Sequence, residues 1–222
     1  MDTWSVIASL RGEFLTQVEG LTPAQWDAPS LCVGWRVRDV VAHLVLPERF
    51  SPFAGLPGLV RAGLRLHRVL HADAVRRGSV PISDLLSSFR EAIGRRTVPP
   101  GRQPENVLVD LVIHLQDIRR PLGLPWSYGS ELLDTVAGTI HRDKVLGAPK
   151  RVAGLRLSAT DTGWSAGTGD EVTGSAEALI LAMSGRPATL SFLSGPGVAT
   201  LAARVPKPTE GRAGHGSDRL AP

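Results

Sequence analysis

Near residue 149 the hydrophobic pattern of this chain changes period, and that change limits the available folds more than any other feature. Up to that point apolar residues recur at helical spacing, as in Trp4, Ile7, Ala8, Phe14, Leu15 and Val18, and again in Val37, Val40, Val41 and Leu44. From Arg151 to Asp161 apolar and polar residues alternate instead, as in Val152, Leu155, Leu157 and Ala159. A repeat near 3.6 and a repeat of 2 bury different faces, so the two parts need separate packing arrangements. The reading is α+β: a helical module over 1–148, a small α+β module over 149–206, and a tail over 207–222 without an apolar pattern, expected to be disordered.

Within the first module, helices are expected over 4–18, from Thr22-Pro23 through Trp26, over 36–46, over 57–77 and over 81–96. A helix from Pro104 is expected to end at Arg119-Arg120-Pro121, and another spans 130–145. In the second module a strand over 151–161 is followed by a turn-rich stretch over 163–174 holding one short strand. A helix over 175–183, a strand over 188–192 and a helix over 198–204 complete the pattern.

Composition narrows function by exclusion. The 222 residues carry one Cys, so neither an intramolecular disulfide nor a Cys-rich zinc site is available. No apolar run approaches the ~20 residues of a membrane span. The start, Met1-Asp2-Thr3-Trp4-Ser5, has no basic region typical of a secretory leader, so a cytoplasmic protein is expected. The sequence pI of about 10.0 raises nucleic acid as a partner. Yet 25 Lys+Arg against 21 Asp+Glu is an excess of four, spread as Arg76-Arg77, Arg95-Arg96 and Arg119-Arg120 without interleaved aromatics. Such pairs near helix C-termini complement the macrodipole, and no nucleic-acid partner is expected.

The stretch with most chemistry is 104–123. At about 100° per residue, Leu108, Leu111, Val112, Leu115 and Ile118 gather on one face. Asp110, His114 and Asp117 fall on a second stripe, flanked by Val109 and Ile113. A helix apolar on two sides is buried, and its carboxylate–imidazole–carboxylate stripe then needs partners. A divalent metal is one partner, and a water-facing stripe is the other reading. His43, at the margin of its helix's apolar stripe, reads alone as a hydrogen-bonded core or boundary histidine. His67 and His71, among Arg65, Arg68 and Arg76, read as a solvated face, and His141 and His215 have no partner at ligand spacing. Cys32 reads as a small buried hydrophobe. Gly167-Thr168-Gly169 and 194–197 complete no phosphate-binding motif and are expected to be hairpin turns.

Two segments taken together resemble the mycothiol-dependent maleylpyruvate isomerase family of the DinB-like superfamily. The first is Leu21-Thr22-Pro23-Ala24-Gln25-Trp26-Asp27 followed by 32–44, Cys-Val-Gly-Trp-Arg-Val-Arg-Asp-Val-Val-Ala-His-Leu. The second is 110–123, with Asp110, His114 and Asp117 ahead of Ile-Arg-Arg-Pro-Leu-Gly. A weaker echo runs from Val172-Thr173-Gly174 through Ser184-Gly185-Arg186-Pro187 to 195–199. The resemblance implies a DinB-like four-helix bundle followed by a small α/β domain. It implies a metal, usually zinc, held by His43, Asp110 and His114, where the family pattern has Glu at the position of Asp110. Asp117 would then support a ligand imidazole from outside the coordination sphere. The implied cosubstrate is mycothiol, a low-molecular-weight thiol that the metal presents as thiolate for S-transfer to, or cis–trans isomerisation of, a small electrophilic substrate. Arg186 is the candidate cation for an anionic thiol conjugate or acid. The alternative is a DinB-like protein that binds metal or thiol without turnover.

Overall fold

A computed structural model describes residues 2–45 and 66–206. The helix expected over 57–77 therefore lies partly outside the described residues, and the tail over 207–222 wholly so. Helix α1 (Thr3–Glu19) starts where Asp2 accepts the amides of Trp4 and Ser5 at 3.3 and 3.2 Å. A single turn, α2 (Pro23–Trp26), carries a capping box between Thr22 and Gln25. Then come α3 (Val37–Leu44), α4 (Leu66–Gly78), α5 (Ile82–Ala92), α6 (Pro104–Leu122), α7 (Ser130–His141) and the short α8 (Ala148–Arg151).

Helix α6 is the axis of the helical part, packing against α1, α3 and α7, while α5 packs on α1 and α3, and α4 on α3. Every residue from Val107 to Arg119 is buried except Asp110. The two-sided apolar pattern thus places this helix in the core, and the solvent-facing reading of its polar stripe fails for His114 and Asp117. Phe14 and Phe89 meet at 5.6 Å between ring centroids in the same core.

Pro121 does not stop α6 as the sequence suggests; the helix continues to Leu122 and closes on Gly123. A proline at 121 has no N–H for the carbonyl of residue 117, four positions back. That carbonyl instead accepts the amide of Leu31 at 2.9 Å. The loop between α2 and α3 is thereby fastened to the middle of the core helix.

The small second part holds a three-stranded sheet, β1 (Leu155–Ala159), β2 (Ser165–Gly167) and β3 (Asp170–Gly174), in the order β2-β1-β3. Strand β1 pairs antiparallel with β2 and parallel with β3, with Leu157 opposite both Ala166 and Val172. Four sequence expectations are corrected here. The strand begins at Leu155 because residues 148–151 form α8, and the stretch over 163–174 holds two strands. Gly167-Thr168-Gly169 is no hairpin turn, since β2 and β3 flank β1 and the chain must cross its end. A Cβ at Gly169, where φ is +118°, would lie 2.1 Å from the Gly154 carbonyl oxygen, so only glycine permits the crossing. Finally, 187–192 is a 3₁₀ helix: Thr189 is its buried residue while Ser191, which would share its face in a strand, is exposed. Sheet pairing resumes only at the bridge between Thr173 and Ser194.

Helix α9 (Ala176–Met183), capped by Ser175, is buried along its whole length and packs on α7, joining the two parts; α10 (Val198–Arg204) follows. None of the described helices is long and apolar enough to cross a membrane.

Asp143, with its side chain fully buried, anchors the turn after α7. It accepts Arg102 Nη1 at 3.1 Å and the amides of Val145 and Leu146 at 2.8 and 3.1 Å. Burial pushes its carboxyl up, but Arg102 and those amides more than offset this and hold it below the usual carboxylate range. Its contribution to stability is therefore complete above the unfolded value of about 3.9 and is lost as the pH falls below that toward the folded value. Asp143→Asn should cost about 2–3 kcal/mol at pH 7 and reduce the acid-induced loss of stability below pH ~4, as read by urea unfolding at both pH values.

Candidate metal centre

The last turn of α3 and the middle of α6 face each other, because the apolar stripes of both helices pack into one core. This brings together His43 from α3 with Asp110 and His114 from α6. One ligand atom from each lies within 4.8 Å of the others. His43 Nε2 is 3.7 Å from Asp110 Oδ2, and His114 Nε2 is 3.6 Å from Asp110 Oδ1. These separations are too long for hydrogen bonds. They are close to the roughly 3.3–3.5 Å between two donors sharing a tetrahedral ion at 2.0–2.1 Å.

The other nitrogen of His114 identifies its protonation. Nδ1 lies 2.8 Å from Asp117 Oδ2, deep in the core where Asp117 is fully buried. A carboxylate only accepts, so Nδ1 carries a proton, and in the neutral ring Nε2 presents a lone pair. That lone pair faces the Asp110 carboxylate, an acceptor opposite an acceptor. A cation between them reconciles the pair, and the donor set suits zinc or another divalent ion. Asp110 has the shorter side chain of the two acidic residues, yet both of its oxygens reach the imidazoles. Its side chain is 45 % exposed, so it marks the side of the cluster that solvent and solutes reach.

The buried Trp35 packs beside the two histidines. Its ring centroid lies 5.1 Å from that of His43, 6.0 Å from His114 and 5.8 Å from His71. Periodicity gave no sign of this contact, because Trp35 precedes α3 rather than lying on its stripe. His71, read as part of a solvated face, is exposed as expected but rests against this indole.

Asp117 gathers more than His114. Arg186 reaches it with Nε on Oδ1 at 3.1 Å and Nη2 on Oδ2 at 2.7 Å, while the Cys32 thiol donates to Oδ2 at 3.0 Å. The expectation of Cys32 as a plain hydrophobe is thus corrected: it is half-buried with a carboxylate, a guanidinium and an imidazole around it. Burial and the Asp117 charge raise its thiol, so it is not a ready nucleophile. Arg186, expected as a cation for an anionic ligand, arrives with its fork committed. It follows α9 through a Schellman turn, in which Gly185 (φ +92°) and Arg186 return their amides to Ala182 and Leu181. Opposite charge from Asp117 outweighs burial and raises the Arg186 pKa; the same pair, with His114, keeps the Asp117 carboxyl well below its usual range against the effect of burial.

The fold and this cluster define a class: a helical bundle with a His–Asp–His set open on one side, joined to a small α+β unit. Residues 7–98 match the family model of the mycothiol maleylpyruvate isomerase N-terminal domain. Two solved structures share the fold over 94 % of this chain and 95 % of theirs. They are a mycothiol-dependent maleylpyruvate isomerase, at 13 % identity and a TM-score of 0.55, and a histidine-to-alanine mutant under the same name, at 11 % and 0.56. No curated protein matches the chain. In sequence the likeness to this family covers residues 7–98, and in fold it runs along nearly the whole chain.

Proposed function

We propose that this protein is a metal- and mycothiol-dependent enzyme acting on a small electrophilic substrate, by cis–trans isomerisation or by S-transfer. The observation that carries this reading is the convergence of His43, Asp110 and His114, with Nε2 of His114 turned toward Asp110. His43, Asp110 and His114 would hold the ion, with zinc the first candidate. When bound, such an ion supplies the Lewis acidity that lets a thiol exist as thiolate at neutral pH.

The chain's own residues supply the rest. Asp117 fixes the orientation of the His114 ring, and the buried Trp35 packs beside the rings of His43 and His114, keeping water from that side. The half-exposed edge at Asp110 leaves one approach, from which thiol and substrate would enter.

The test is mycothiol-dependent turnover of maleylpyruvate and of small electrophiles by purified wild type and His43→Ala. Turnover that needs both mycothiol and His43 is the expected result. A second reading, metal or thiol binding without turnover, is favoured by one feature: His43 Nδ1 is buried without a hydrogen-bond partner, so this imidazole lacks the outer support that His114 has. Metal and thiol binding with no turnover on any such substrate would establish that reading instead.

A further inference from the structure

Three donors from three separate stretches of chain meet on one oxygen of Asp117. They are His114 Nδ1 at 2.8 Å, Arg186 Nη2 at 2.7 Å and Cys32 Sγ at 3.0 Å, and the second oxygen takes Arg186 Nε at 3.1 Å. We propose that Arg186 and Cys32 are positioning residues for the metal centre, acting through Asp117 to hold His114 as its Nδ1–H tautomer with Nε2 free for the ion.

Asp117 has no exposed surface, so water cannot replace any of these partners. The Arg186 fork sets the plane of the carboxylate, because two parallel N–H donors permit one orientation. The Cys32 thiol fills a further acceptor direction on Oδ2, which leaves His114 Nδ1–H a single place to bond. Both helpers are fixed in turn. Arg186 Nη1 donates to the Ser184 carbonyl at 3.1 Å, and the Schellman turn at Gly185 sets where its side chain begins. Cys32 is placed by the amide of Leu31 on the Asp117 carbonyl, the group released by Pro121. One residue of α6 therefore receives the α2–α3 loop on its backbone and the small α+β unit on its side chain. The second unit thereby bears on the ligand atom of His114 without touching the ion site itself.

The inference rests on the metal reading only for one of its two measurements. The first is the tautomer of His114 in metal-free protein with ¹⁵N-labelled histidine, read by long-range ¹H–¹⁵N correlation at a pH where the ring is neutral. The second is Co²⁺ affinity, followed by visible absorption. Wild type and Cys32→Ser should show one Nδ1–H form at His114. Arg186→Gln should show a mixture of tautomers and bind Co²⁺ about 10–100-fold more weakly, the range for losing an outer-sphere partner. Arg186→Lys, with the charge but not the fork, should fall between, and Cys32→Ala should lose up to about 10-fold, restored by Cys32→Ser. The resonances of His141, which packs on Trp164 outside the cluster, should not move, which separates this effect from general unfolding.

A single Nδ1–H form in both Arg186→Gln and Cys32→Ala, with wild-type Co²⁺ affinity, would overturn the proposal. Should Arg186→Gln fail to fold, Arg186→Lys and Cys32→Ala decide it by the same readings. Wild type that binds no Co²⁺ would sink the metal reading, while the tautomer measurement would still judge the positioning role alone.

Discussion

Asp117→Ala should lower the unfolding free energy by about 3–5 kcal/mol, the scale of breaking a buried charge pair from one side. The carboxylate is fully buried and answers Arg186, His114 and Cys32 at once. Removing it leaves the Arg186 guanidinium, 15 % exposed, with one carbonyl in place of a counter-charge. The comparison that isolates the pair is Asp117→Leu with Arg186→Met, which removes both charges and should recover much of the loss. Urea unfolding at pH 7 with an unchanged m-value measures each variant. A loss below about 1 kcal/mol in Asp117→Ala would mean that the carboxylate is hydrated in solution and does not anchor the two parts of the fold.

His114→Ala should reduce affinity for zinc by more than about 100-fold, beyond the loss expected from any outer partner. The helices should remain, since Asp117 keeps Arg186 and Cys32, and α6 stays buried through its apolar residues. Far-ultraviolet circular dichroism and calorimetric titration with zinc separate the two effects. Retained zinc affinity in a folded variant would place the ion elsewhere.

How much of this was legible in the sequence differs by feature. The change of period marks where helices give way to strands, because burial of one face writes itself into apolar spacing. The three residues of α6 were legible too, since positions four and seven apart on a helix share a side. His43 was not assignable from its own helix: meeting α6 is a matter of how two stripes pack, and only the resemblance named it. Contacts of Cys32 and Arg186 with Asp117 lie 85 and 69 residues apart in the chain, so no local pattern could reveal them. The strand read over 188–192 failed because five residues are too few to distinguish alternation from a 3₁₀ turn behind Pro187. Pro121 was read as a stop, yet a proline in the last turn removes one bond and need not end the helix when its carbonyl partner is satisfied elsewhere.

The most direct measurement is the metal content of protein purified without a metal-binding tag, as isolated and after incubation with zinc, for wild type and His43→Ala. One tightly held ion per chain in wild type, absent from His43→Ala, is the predicted result for a centre built on three protein ligands. Wild type that stays free of metal under excess zinc, or His43→Ala that holds as much as wild type, would contradict it.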